Sequence, residues 1–184
     1  MATEIQSRRD RWEPSLKSMI TKINIKFSEH MKEMNFVGNA TLIKGSDSED
    51  PSEYALGLTV QFRNIDDPTG RASARLLNER THSGGEKAVT TILFLISLQH
   101  MTRCPFRVVD EINQGMDAVN EGKVFSILGR ETNSKSEDAP QYFLITPKLL
   151  EGLEYTGDVS VLVVLNGPYV SEPFDSTLCF FLGY

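Results

Sequence analysis

From Ala88 to Leu98 the chain reads Ala-Val-Thr-Thr-Ile-Leu-Phe-Leu-Ile-Ser-Leu, apolar on nearly every side of a helix. A helix without a polar face has to be buried, so this segment sets the centre of the fold around it. Its start is chemically marked. Ser83-Gly84-Gly85-Glu86-Lys87 precedes it, and a serine followed three residues later by a glutamate is a capping box. Gly84 and Gly85 carry no Cβ, so the backbone there can come close to a ligand. Bare amides and a partial positive charge at a helix start attract phosphate. Taken alone, the turn reads equally well as an ordinary capped helix.

Some two dozen residues on, Phe106-Arg107-Val108-Val109 runs into Asp110-Glu111. Ligands of open α/β sheets gather at the carboxyl ends of strands, where this pair would sit. Nucleotide hydrolysis needs one acid near Mg²⁺ and another against the attacking water. Asp110 suits the metal, through a water, and Glu111 suits the nucleophile. The pair by itself also fits a helix start after a strand. Nowhere does the chain contain G-x-x-x-x-G-K-[ST], the loop that cradles phosphates. Half of a nucleotide-hydrolysing site is the expectation.

The remaining pattern frames these two motifs. Residues 2–36 read as helical with a break at Pro14. After it, Leu16, Met19, Ile20, Ile23, Phe27, Met31 and Met34 form one apolar stripe of core-packing type. The polar stretch before Pro14 reads as the end of a coiled coil. Ala40–Lys44 and Tyr54–Arg63 read as strands of a small antiparallel sheet, separated by the acidic loop Gly45–Pro51. Asp66–Ala74 is a second loop. From Ser83 a helix to about Met101 is followed by strand Phe106–Asp110, a helix over Val119–Arg130, strand Gln141–Thr146, a short helix and strand Val159–Leu165. Their apolar character predicts a parallel sheet covered on both faces. Ser134–Asp138 reads as a solvated loop, and Leu178–Leu182 is too apolar for a free end.

A net charge of −6 over 184 residues argues against a generally basic nucleic-acid binder. Residues 1–35 carry seven Lys/Arg against five acids, leaving about −8 for the rest. Cys104 and Cys179 stand in no metal-ligand spacing, as expected for reduced thiols. No apolar run is long enough to span a bilayer, and no signal-peptide core is present; a soluble, intracellular protein is expected.

Ser83-Gly84-Gly85-Glu86-Lys87, Val108-Val109-Asp110-Glu111 and Gly115-Met116-Asp117 resemble the signature motif, Walker B strand and D-loop of the ATP-binding cassette superfamily. Asn113-Gln114 after the acids, Arg103-Cys104-Pro105 before the strand, Ile145-Thr146-Pro147-Lys148-Leu149-Leu150 and the segment Met19–Phe36 narrow the resemblance to the structural maintenance of chromosomes (SMC) family. It covers roughly residues 10–170. The resemblance implies an α/β, P-loop-NTPase-like half-head: a mostly parallel sheet flanked by helices, a small antiparallel sheet and an N-terminal neck helix. Residues 1–36 would be the coiled-coil end and neck, and 37–184 the C-terminal lobe of the ATPase head. Met1 would then begin a fragment, with the hinge, the long coiled coil and the N-terminal half-head outside it.

By the same resemblance two heads sandwich two ATP molecules with Mg²⁺. Ser83, Gly84, Gly85, Glu86 and Lys87 serve the nucleotide of the partner head, Asp110 and Glu111 that of the chain's own N-terminal half, and Asp117 couples the two. A second, different SMC protein, a bridging kleisin and DNA are the implied partners, and recombinational repair and chromosome maintenance in the nucleus the implied role. The isolated chain is expected to be inactive as an ATPase.

Two positions depart from the family pattern. His82 replaces the usual leading leucine of the signature, which reads as a tolerated surface variant. Pro147 occupies the place of the switch histidine, with Thr146 beside it offering a hydroxyl. Arg8, Arg9, Arg11 and Lys17 could touch DNA phosphates or be solvated coiled-coil charges. His30 and His100 read as structural. Two other functions fit part of the pattern: a docking module for a kleisin or regulator, favoured if Phe174, Phe180 and Phe181 are exposed, and a Rad50-type repair ATPase half.

Overall fold

A computed structural model describes residues 2–45, 50–62, 74–77, 82–132, 140–147 and 159–164, with no account of the side chains of residues 2–6 and 8. The chain divides into two units, Met1–Glu154 and Tyr155–Tyr184. In the second, residues 159–164 are exposed and carry no regular secondary structure. The strand expected over Val159–Leu165 therefore does not form across them: Leu162 and Val164 are more than four-fifths exposed, and a strand needs a ladder partner for its amides.

The first unit begins with helix α1, Ala2–Glu33. It does not break at Pro14. Arg9 and Lys17 both reach the Glu13 carboxylate, at 3.3 and 2.8 Å, and these (i, i+4) pairs bracket the proline. Pro14 is exposed, so the amide it lacks leaves a helix carbonyl on the wet side. The helix stops instead at Asn35, with φ 64°; the Phe36 amide donates to the Met31 carbonyl at 2.8 Å, a left-handed C-terminal cap.

Strands β1 (Val37–Ile43), β2 (Ala55–Gln61) and β3 (Arg75–Leu76) form an antiparallel sheet in that order. Its free edge at β1 is satisfied by α1: the Ala40 amide donates to Asn24 Oδ1 at 2.7 Å, and Ser28 Oγ donates to the Gly38 carbonyl at 2.7 Å. A covered edge cannot template further pairing. Helix α2 (Gly84–Gln99) packs its Val89, Leu93 and Ile96 against Phe27, Met31 and Met34 of α1 and Val60 of β2. Phe27 meets the Phe94 ring edge-on at 5.8 Å.

Strand β4 (Phe106–Asp110) and strand β5 (Gln141–Ile145) pair in parallel, with helix α3 (Ala118–Thr132) between them in sequence. Arg107 anchors the pair to α2, donating to Tyr142 Oη at 2.7 Å, while Tyr142 Oη donates to Gln99 Oε1 at 2.6 Å. Val109 and Tyr142 pack on the core, but Phe106, Val108, Phe143 and Ile145 are exposed. The sheet is therefore covered on one face, not two. Leu95 of α2 is also half exposed, so the apolar helix is buried on one side only. Both departures have one cause: the described residues supply two strands, too few to cover the apolar surface they carry. The short helix after Pro147, the loop Ser134–Asp138 and the tail with Phe174, Phe180 and Phe181 lie outside the described residues. Among the described residues no helix is long and apolar enough to cross a membrane.

Candidate functional site

The tip of α2 is built as its sequence dictates. Ser83 has an extended backbone, the Glu86 amide donates to Ser83 Oγ at 3.2 Å, and the Ser83 amide donates to Glu86 Oε2 at 2.8 Å. Such a cap contributes about 1 kcal/mol to helix stability. Because Ser83 Oγ accepts in this cap, its own proton stays available to a ligand. Ser83 and Gly84 are exposed, and a side chain at Gly84 would meet nothing within 4 Å.

At Gly85 the space is different: a Cβ there would stand 3.3 Å from the Gly115 carbonyl oxygen. The capped tip thus abuts the loop that follows β4. Gly115 has φ +80°, a conformation glycine adopts without a steric penalty. Glu111 has φ +49°, unusual for a residue with a side chain, and its amide is held by the Ile145 carbonyl at 2.9 Å. From Glu111 the loop closes on itself, the Gln114 amide donating to the Glu111 carbonyl at 3.1 Å. Asp110 and Glu111 are both exposed, and strand alternation puts Asp110 on the open face with Phe106 and Val108.

Beneath the loop, buried Asn113 donates from Nδ2 to Glu121 Oε1 at 2.7 Å and accepts at Oδ1 from Thr146 Oγ1 at 3.5 Å. This pins the loop to both α3 and the end of β5. Asp117 starts α3, accepting from the Asn120 amide at 2.9 Å and from Asn120 Nδ2 at 2.6 Å. The bond from the Asn120 backbone amide is the main reason the Asp117 carboxyl lies below its ordinary pKa. Glu111, Asn113, Gln114, Gly115, Met116 and Pro147 line a cleft of about 260 Å³. An exposed hydroxyl and helix-tip amides suit the phosphate oxygens of a nucleotide, and the exposed carboxylates, as a separate donor set, suit Mg²⁺.

Sequence reasoning missed two partners here. Asn113 belongs to the run that carries the resemblance, but Glu121 carries no motif signal, and only burial reveals their bond. His82 is half-buried rather than a surface residue: its ring lies 5.9 Å from Phe62, which itself stacks edge-on with Phe36 at 4.7 Å. Of the basic residues near the start of α1, Arg9 and Lys17 are engaged by Glu13, and Arg9 also donates to Tyr54 Oη at 3.1 Å.

Comparison with known proteins decides the family. No family model matches the chain. Structural maintenance of chromosomes protein 5 of Arabidopsis thaliana is 43% identical over 170 residues, 92% of this chain, and that of Schizosaccharomyces pombe is 37% identical over 95% of it. The chain belongs to the SMC family. It spans 15% of the length of these two relatives. Protein 6 of S. pombe is more distant, 27% identical over 91% of the chain. A solved structure from work on ATP-driven dimerization and DNA-stimulated activation of SMC ATPases superposes with TM-score 0.58 at 21% identity, over 83% of this chain and 89% of that one. An Smc head bound to the C-winged helix domain of ScpA superposes with TM-score 0.51 at 24% identity, over 70% of this chain and 35% of that one. The fold is that of SMC ATPase heads.

Proposed function

We propose that this chain is the C-terminal half of an SMC ATPase head, with residues 1–36 its coiled-coil end and neck and residues 37–184 its lobe. The observation that carries the proposal is the approach of Gly85 to Gly115, which sets the capped helix tip against the loop leaving the two acids. A bound magnesium nucleotide supplies the scissile phosphate and the charge that the acids balance. Ser83 donates its hydroxyl, and Gly84 and Gly85 their amides, to phosphate held on a partner head. Asp110 would hold Mg²⁺ through a water, Glu111 is placed to accept the proton of the attacking water, and Asp117 ties the two functions through the loop it closes. Thr146, hydrogen-bonded to Asn113, stands in the switch region beside Pro147.

The open face of β4 and β5 supports an N-terminal half-head of the same protein as the first partner, since it would bury Phe106, Val108 and Phe143. The similarity to SMC protein 5 and, more weakly, protein 6 supports a heterodimer with SMC protein 6. The ScpA-bound head supports a kleisin on this lobe. The same kinship supports DNA engagement, recombinational repair and chromosome maintenance on nuclear chromatin as the proposed role.

The test is the assembled pair of heads carrying Glu111→Gln. Removing a general base costs roughly 10²–10⁴-fold in turnover, so hydrolysis should collapse while ATP binding and kleisin docking persist. Turnover at the parent rate in Glu111→Gln would refute the assignment and favour a docking module.

A further inference from the structure

On the far side of α2 from its capped tip, three helices converge on one cluster. His30 of α1 is fully buried, His100 follows the end of α2, and Glu131 lies in the last turn of α3. These are two of the chain's three histidines, and one ligand atom from each of the three residues falls within 4.8 Å of the others. His100 Nε2 is 2.9 Å from Glu131 Oε2, and His30 Nε2 is 3.5 Å from Glu131 Oε1.

The hydrogen bonds fix which nitrogen of His30 carries its proton. Ser97 Oγ donates its one proton to the Leu93 carbonyl at 2.7 Å. It can therefore only accept from His30 Nδ1, 3.0 Å away. The other ring nitrogen, Nε2, faces Glu131 Oε1 at 3.5 Å. At 2% side-chain exposure for His30, a metal ion placed between the two groups would satisfy both. A serine holding the outer nitrogen of an imidazole is also how a metal-binding histidine is oriented. The nearby Lys26 charge is answered by Glu29 at 2.9 Å.

We propose that His30, His100 and Glu131 bind a divalent transition-metal ion, of which Zn²⁺ suits two imidazoles and a carboxylate best. With metal–ligand bonds of about 2.0–2.2 Å, tetrahedral ligands sit roughly 3.3–3.6 Å apart, within reach of ligand atoms that already lie within 4.8 Å of one another. Side-chain exposure of 30% at His100 and 20% at Glu131 leaves an entry path and a fourth position for water. The ion would clamp the neck helix α1 to α2 and α3, as a structural rather than a catalytic centre, and stands independent of the nucleotide site.

The test titrates the chelator-treated full chain with Co²⁺, read by visible absorption, and with Zn²⁺, read by thermal unfolding. One equivalent of Co²⁺ should give tetrahedral bands that Zn²⁺ abolishes. At one hundred times its dissociation constant, Zn²⁺ should raise the unfolding midpoint by about 5–10 °C. His100→Asn and Glu131→Gln, both at partly exposed positions, should fold without metal and lose the shift. Cys104→Ser and His82→Asn should keep it. A chain that neither develops the bands nor shifts with Zn²⁺ overturns the proposal, as does binding that survives in His100→Asn and Glu131→Gln.

Discussion

The two sheets of this chain differ in how far each is finished. The antiparallel sheet of β1 to β3 has its β1 edge capped by Asn24 and Ser28, and buries Ala40 and Val60 against the same helix. The parallel pair β4–β5 buries one face only and leaves Phe106 57% and Ile145 54% exposed on the other. Antiparallel strands close locally through short connections, whereas parallel strands need crossovers and both faces covered. The first region is completed by its own neighbours in sequence; the second is not completed by the described residues. The two acids and the cleft belong to the unfinished region, so under the proposed function the chemistry would wait on whatever completes it.

That contrast can be broken most strongly at Phe27, which has no exposed surface and joins α1 to α2. Phe27→Ala should cost about 3–5 kcal/mol in urea unfolding of the chain; a cost below about 1 kcal/mol would mean the finished region is not well packed. Phe106→Ser should behave oppositely. Stability of the chain should change by no more than about 0.5 kcal/mol. Affinity for an N-terminal half-head, by calorimetry, should fall by about 10–150-fold as the lost burial of one large apolar side chain dictates. Gly115→Ala sharpens the comparison within the loop: a Cβ at φ +80° should cost about 1–2 kcal/mol and displace the site it lines.

The smallest expected effect is a pH dependence in the finished region. The Glu13 carboxyl is lowered from 4.5 to about 2, chiefly by Lys17 and then by Lys44 and Arg9. A depressed carboxyl stabilises the fold above its unfolded value and loses that contribution as pH falls from 4.5 toward 2. Glu13→Gln should therefore be less stable than the parent at pH 6, with the gap closing by pH 2–3 in parallel urea titrations. A gap that widens on acidification would contradict the ion-pair assignment.

Much of the site could be read from residues alone because its signals are local. A capping box spans four residues, so Ser83 and Glu86 announce their own geometry, and β4 runs over Phe106–Asp110 as its apolar run and acids predict. What escaped reading depends on distance or on context. The helix runs on through Pro14 with Glu13 paired to Arg9, Lys17 and Lys44 around it, and the Asn35 stop is a single left-handed residue. Strand β3 is two residues long, too short for any periodicity. His82 packs because Phe62 lies nearby in space, and His30 finds Ser97 and Glu131 some 67 and 101 residues away. The strand expected at Val159 fails for the opposite reason: its composition is right, and its pairing partner is not among the described residues.

The most direct test compares ATP binding by this chain alone with binding by the chain co-expressed with an N-terminal half-head carrying the phosphate loop. Weak binding and no turnover alone, with tight binding and hydrolysis on assembly, is the predicted result. Tight binding and steady hydrolysis by the 184-residue chain on its own would contradict the account.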